Sequence, residues 1–250
     1  MMQRTQPVQA WRWSVSPPGP HLTATVPVME AIRGAAIFMR REMGNGLFPE
    51  SFHGADRGGH AHAFWLPEDE DGDGLIDHIW VSCASGMDAR TIAALASVEW
   101  FRAEGVRYEV APSWMGPRPL DGIFGPSAVW QGVTPYVTSR RRLTKTGKER
   151  ADETPEAQLL RELLLRGLPA PVEIGWEPAA WCGEDNVLAS QFAINWDKRG
   201  GPPADAVASF PAIVFAEPVP GPLAFGHAAH FGLGLLVPQI GSACNSLHIS

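Results

Sequence analysis

Two spacings of apolar residues alternate along the chain. In "AWRWSVS" (residues 10–16) large and polar side chains take turns, the period of a half-buried strand. "TVPVMEAIRGAAIFMRREMGNG" (25–46) instead puts Met29, Ile32, Ala36, Met39 and Met43 on one helical face. Thr25 and Pro27 suit its start and "GNG" its end. After a loop of Gly, Ser and His, "HAHAFWL" (60–66) and "IDHIWVSC" (76–83) predict two strands joined by an acidic turn. "MDARTIAALASVEWFRAEG" (87–105) predicts a second helix capped by Asp88, and "VRYEVAP" (106–112) another strand.

The predicted order is strand, helix, strand, strand, helix, strand. That is the ferredoxin-like (RRM-like) arrangement of two interleaved βαβ units. Both helices then cover one face of a four-stranded sheet and leave the other free to bind. Past the loop "SWMGPRPLDGIFGPS", "AVWQGVTPYVTS" predicts a strand and "RRRLTKTGKERADE" a polar, mobile segment. "TPEAQLLRELLLRGLP" predicts a helix with Thr154 as cap, Pro155 in its first turn, and Leu159, Leu160, Leu163 and Leu164 on one face. Gly167 and Pro169 end it. "VEIGWEP", "SQFAINWDK", "AIVFAEPV" and "FGLGLLVP" predict strands. With one firm helix, this half is expected to be a second, irregular ferredoxin-like unit. The expected architecture is α+β, tandem ferredoxin-like, with domains at 1–112 and 113–250 and a C-terminal glycine-rich loop.

Composition narrows the function classes. With 250 residues, 45% of them hydrophobic and 19% charged, the chain can bury a real core. The net charge of -7 provides no global attraction for nucleic acid or anionic lipid, so any anion site must be local. Three widely spaced cysteines argue against a disulfide framework and against a cysteine zinc site. "MMQRTQPVQAWRWSV" lacks the apolar core of a signal peptide, and no uninterrupted apolar stretch is long enough to span a bilayer. A soluble cytoplasmic protein is expected.

Four stretches carry candidate chemistry. Asp69, Asp71, Asp73 and Gly74 match the opening of a calcium loop and Asp77 suits a later ligand, but Trp80 stands where the bidentate glutamate belongs. A strand, not a helix, follows, so a solvated hairpin loop is the competing reading. On a strand, His60, His62 and Phe64 share a face, and His78 on the paired strand can lie near them. No third ligand has zinc-like spacing, whereas acid–base work suits imidazole near neutral pH without a metal. In "SRRRLTKTGKER", Arg140, Arg141, Arg142, Lys145, Lys148 and Arg150 face the single acid Glu149, which suits a phosphate backbone. In "GPLAFGHAAHFGLGLLVP", Gly226, Gly232 and Gly234 permit positive φ or close approach of a ligand phosphate, and His227 and His230 lie among them.

Taken together, "GHAHAFWLPEDEDGDGLIDHIWV", "WQGVTPYVTSRRRL", "ELLLRGLPAPVEI" and "FGHAAHFGLGLLVP" resemble, in the same order, the Cas6-like half of the fused Cas5–Cas6 protein of type I-U (I-G) CRISPR systems. The resemblance spans roughly residues 25–238. The wider superfamily often has a further glycine where Ala224 stands, and the chain looks like a stand-alone or separately encoded Cas6-like module. The resemblance implies an endoribonuclease that needs neither metal nor other cofactor. It would bind CRISPR repeat RNA and cut it by 2′-hydroxyl attack, leaving a 2′,3′-cyclic phosphate on the guide-RNA precursor. It also implies the partners: guide RNA and other subunits of a type I-U/I-G effector complex, with no membrane. His60, His62 and His53 are the implied catalytic candidates. Arg140, Arg141, Arg142 and Lys145, with Gly226, His230, Gly232 and Gly234, are the implied RNA-binding ones, and Trp130 or Trp196 could stack on unpaired bases. Two alternatives are a non-catalytic subunit that holds the guide's 3′ end and a calcium- or zinc-dependent hydrolase.

Overall fold

A computed structural model of the chain describes residues 7–44, 46, 48–49, 52, 62–193 and 201–239. The first unit runs β1 (Ala10–Val15), α1 (Thr25–Glu42), β2 (Phe64–Glu68), β3 (His78–Ser82), α2 (Ala89–Ala96), β4 (Trp100–Ala103) and β5 (Val106–Gly116). Its sheet is antiparallel throughout, in the order β2-β3-β1-β5-β4. Without β4, this is the ferredoxin-like order, with β5 in the place of the fourth strand.

Alternation along the strands explains the packing. Trp11, Trp13 and Val15 of β1, Trp65 of β2, and Ile79 and Val81 of β3 pack in one core with Val28, Met29, Ile32 and Ala36 of α1. By length and composition alone α1 could cross a bilayer, yet its apolar face forms this core. Met43, expected on that face, is exposed. The opposite sheet face is not free as expected. Arg12 lies 5.1 Å over the Trp80 ring, Trp80 donates to Glu68 at 2.8 Å, and Phe124 meets Trp80 edge-on.

The helix expected over residues 87–105 ends at Ala96, and β4 follows it. Trp100, Phe101, Arg102 and Ala103 alternate exposed and buried, a period of two that the apolar run before them hides. Glu104 and Gly105 then turn with φ 49° and 83°, the two-residue geometry that suits a hairpin's twist.

The second unit runs β6 (Ser127–Gly132), β7 (Tyr136–Val137), α3 (Pro155–Leu165), β8 (Glu173–Glu177), β9 (Ala179–Cys182), β10 (Asp185–Leu188), β11 (Ala208–Val219), β12 (Leu223–Ala224) and β13 (Leu235–Pro238). Ala212 of β11 pairs with Gln131 of β6 and with Gly175 of β8, so β11 lies between them. The order β8-β11-β6-β13 repeats the ferredoxin-like pattern, and β12 extends the edge. The molecule is thus α+β, with two ferredoxin-like units in tandem. Where the second crossover helix would stand, a loop carries β12 and a single 3-10 turn, Ala229–Phe231.

Leu159 and Leu163 of α3 are buried with Trp130, Tyr136, Ile213, Phe215 and Phe225. Leu160 and Leu164, expected on the same face, point outward, with Leu164 76% exposed. Residues 190–198, expected as a strand, begin in a 3-10 turn, Ala189–Gln191, and 194–198 lie outside the described residues. The hairpin β9–β10 was not anticipated. It reaches the acidic turn, where a Cβ on Gly183 would meet the Asp73 carbonyl. Ala10, Leu66 and Trp80 of the first unit pack with Ala224, Ala229 and Leu235 of the second, through Ile123 and Phe124 of the connection.

Candidate nucleic-acid interface between the two units

On β2, Phe64, Leu66 and Glu68 turn away from α1, and His62 precedes them in the same alternation. The ring of His62 meets that of His230 edge-on, with centroids 5.0 Å apart and planes at 88°. Phe64 lies 4.6 Å from the same His230 ring. His230 is carried by the 3-10 turn Ala229–Phe231, bracketed by Ala228 and Gly232 in the left-handed region (φ 57° and 80°). The loop is anchored by the buried Thr134, whose hydroxyl donates to the Gly232 carbonyl at 2.6 Å and accepts the Leu235 N–H at 2.9 Å. Nδ1 of His62 is buried and has no hydrogen-bond partner among the described residues.

Beside the imidazoles, α3 supplies charge. A cavity of about 250 Å³ is lined by Arg140, Arg161, Glu162, Arg166, Gly226 and His230, among others. The Arg166 guanidinium lies 4.5 Å over the Phe225 ring and 5.3 Å over Phe64. Its carboxylate neighbour, Glu162 Oε2, is 3.9 Å away and accepts the Gly226 N–H at 2.8 Å. Burial pulls the Arg166 pKa below its ordinary value, against the pull of Glu162. Tyr136, behind Gly226, is pushed far up by burial and by the same carboxylate, so its phenol stays neutral.

Arg140 is held by its backbone. The buried Gln158 accepts the N–H groups of Ser139 and Arg140 at 3.1 and 3.0 Å and returns its own NH₂ to the Arg140 carbonyl. Glu153, nearly buried, then faces Arg161 at 3.1 Å and Arg140 at 3.7 Å. The cavity therefore combines three guanidinium groups with the Glu162 carboxylate, next to a pair of imidazoles, and Glu153 pairs with two of the guanidiniums.

Of the residues expected to carry chemistry, the structure brings His62, His230, Gly226 and Arg140 together. His53 and His60 lie outside the described residues. Arg141 and Lys145 are exposed along a small turn closed by a Leu143–Glu149 bridge. Arg142 pairs with Glu149 at 3.3 Å, and Asp205 accepts the Leu143 N–H at 2.6 Å. The basic stretch thus meets more acid than its own sequence shows.

Gly226, Gly232 and Gly234 all have positive φ, and an added Cβ would strike Val137, Pro67 and Phe225 respectively. Their N–H groups donate to Glu162, Ala229 and Pro135. What requires glycine here is the protein's own packing, not room for a ligand. His227 is half-buried, and desolvation lowers its pKa. Trp130, offered as a stacking platform, has 0% exposure and belongs to the core; Trp196 lies outside the described residues.

The acidic turn uses its oxygens on backbone. Asp69 accepts the N–H groups of Gly72 and Gly74, Asp71 that of Asp73, Asp73 that of Leu75, and Asp77 that of Glu70. Burial raises the Asp69 pKa, with Asp73 and Asp77 adding to it and the two N–H groups opposing. Oxygens of Asp69, Asp71 and Asp77 lie within 4.8 Å of one another. His78 turns to Glu70 at 2.8 Å and so belongs to this hairpin.

Sequence reasoning missed Arg161, Glu162, Arg166, Glu153 and Gln158. Arg166 reads as an ordinary basic residue at a helix end, and only the loop that β11 and β13 bring over α3 gives it a role.

No family model matches the chain, and no curated protein does. Solved structures do resemble it. One described as the CRISPR associated protein Cas6 has a TM-score of 0.47 and 9% identity, covering 94% of this chain and 99% of its own. "An RAMP protein binding different RNA substrates" has a TM-score of 0.41 and 11% identity, covering 94% and 100%. A Cas6-related protein from Pyrococcus furiosus has a TM-score of 0.40 and 11% identity, covering 92% and 97%.

Proposed function

We propose that the chain binds CRISPR repeat RNA and cuts it, without metal, at the cavity of its second unit, where His230 meets His62 of the first. The observation that carries this reading is the contact of His62 with His230 beside Arg140, Arg161 and Arg166. Transesterification of RNA needs two proton carriers and positive charge. The 2′-oxygen attacks phosphorus while its proton passes to a neutral imidazole. The P–O5′ bond breaks, and a protonated imidazole supplies the proton to the leaving oxygen. The products are a 2′,3′-cyclic phosphate and a 5′-hydroxyl. Guanidinium groups stabilise the charge that builds up on the phosphorane.

His62 and His230 are the pair among the described residues. His60 and His53 are carried as further proton-transfer candidates on their sequence positions. Arg140 faces the cavity, and Arg141, Arg142 and Lys145 follow it as the grip on the repeat. Gly226, Gly232 and Gly234 shape the loop that presents His230. The product would be guide RNA handed to the other subunits of a type I-U/I-G effector complex.

The test is incubation of the purified protein with the repeat RNA of its own locus in excess chelator, followed by end-group analysis. Cyclic-phosphate and 5′-hydroxyl ends are expected, and His62→Ala or His230→Ala should slow cleavage by about 100-fold or more. Cleavage at the unchanged rate in both variants removes this pair from the chemistry; loss of activity in chelator points to a metal-dependent hydrolase instead. One observation favours a second reading. His62, Phe64 and His230 pack as an aromatic cluster, which a subunit that only holds the guide's 3′ end would also use. Tight binding without cleavage by the unaltered chain would identify that role.

A further inference from the structure

A guanidinium carries five N–H donors in a planar fork. Arg166 holds its own at the C-terminal end of α3, over the Phe225 and Phe64 rings, and its side chain is only 13% exposed. Its Nε has no hydrogen-bond partner among the described residues, and its ion pair to Glu162 is long, at 3.9 Å. Glu162 Oε2 is meanwhile committed at 2.8 Å to the Gly226 N–H. The space beside two phenylalanine rings would be filled as well by leucine or methionine. A desolvated cation there, its Nε unpartnered among the described residues and its ion pair long, instead suits an anion that arrives from the cavity it lines with His230 and Arg140.

We propose that Arg166 takes the scissile phosphate of the RNA in a two-point grip, and that Glu162 holds the guanidinium in place until the phosphate arrives. This rests on the reading of the cavity as an RNA-processing site. Arg166 would then be a catalytic residue, since it touches the reacting phosphoryl group. Glu162 would be a positioning residue that competes with the phosphate for the same cation. The fork is planar by its own delocalisation, and the two aromatic rings beside it favour the cation and limit its contact with water.

The experiment uses the full chain and the repeat RNA of its own locus in two forms: all-ribose for cleavage, and with a 2′-deoxy nucleotide at the cut for binding. Arg166→Gln should flatten the salt dependence of binding by about 0.7 in log–log slope, the loss of one phosphate contact on a single strand. It should also slow single-turnover cleavage by about 100-fold or more. Arg166→Lys should keep the slope but remain at least about tenfold slow, because an ammonium lacks the fork. Glu162→Gln should raise affinity several-fold. An Arg166→Gln protein that melts like the parent and keeps both slope and rate overturns the proposal. If Arg166→Gln does not fold, Glu162→Gln decides, and unchanged or weaker binding counts against the proposal. If the unaltered chain binds but does not cut, the cleavage reading fails by itself, while the salt slope still judges the phosphate contact.

Discussion

Left-handed backbone makes some positions intolerant of any side chain, and two glycines here separate the cost of conformation from the cost of crowding. Gly226 has φ 86°, and an added Cβ would press on the Val137 carbonyl and the Tyr136 ring. Gly147 has φ 79° with nothing within 4 Å. Gly147→Ala should therefore cost about 1–2 kcal/mol, the conformational part alone. Gly226→Ala adds overpacking and should cost about 2–5 kcal/mol in all. Urea unfolding of the two variants checks the difference, and equal losses would show that the loop gives way. At this scale the sequence is a partial guide. It marks the glycines, the histidines and the arginines, but not their mutual contacts. His62 and His230 meet only because two sheets bring distant segments together, and no local spacing encodes that.

Elements declare themselves where pattern and capping agree. Asp88 begins α2 and accepts the Thr91 N–H at 2.6 Å, while the buried Arg40 of α1 reaches it at 3.3 Å. Burial alone would raise the Asp88 carboxyl, but the bonds from Thr91 and Arg40 outweigh it and hold it below the usual carboxylate range. A carboxyl with a lowered folded-state pKa stabilises above its unfolded value of about 4, and that share is lost as pH falls through the folded value. Asp88→Asn keeps a capping oxygen but not the charge. It should be less stable than the parent at pH 7, and the gap should close only as pH falls below the ordinary carboxylate value of about 4, in denaturant titrations. A pH-independent gap would refute the assignment. The β4–β5 hairpin shows the opposite case, where apolar content conceals a change of period. Its Glu104 sits at φ 49°, which glycine adopts freely. Glu104→Gly should raise stability by up to about 1 kcal/mol, measured by thermal unfolding.

For the whole molecule, the tandem architecture was legible because strand order follows from element order under simple connection rules. What was not legible is how tightly the halves are joined. Val137, Phe210 and Leu233 from the second unit sit in the same buried cluster as Trp11, Met29 and Ile32 from the first. Neither sheet completes its core alone, so calorimetry should show one unfolding transition, with a van't Hoff enthalpy equal to the calorimetric one. Two resolved transitions would mean that the shared cluster is energetically minor. The pairing of Glu153 with Arg140 and Arg161 belongs to this scale too, since it spans the start of the basic stretch and α3.

The β9–β10 hairpin works as a clasp. It leaves the second sheet, lays Cys182 against Gly74 and Gly183 against Asp73, and hands the chain on to Ala193, whose N–H donates to the Thr23 carbonyl at 2.9 Å. A protease that severed the chain at the exposed Leu120 between the sheets would therefore liberate nothing. The two fragments would remain interlocked and travel together through a sizing column, and the halves could in principle be produced as separate polypeptides that find each other.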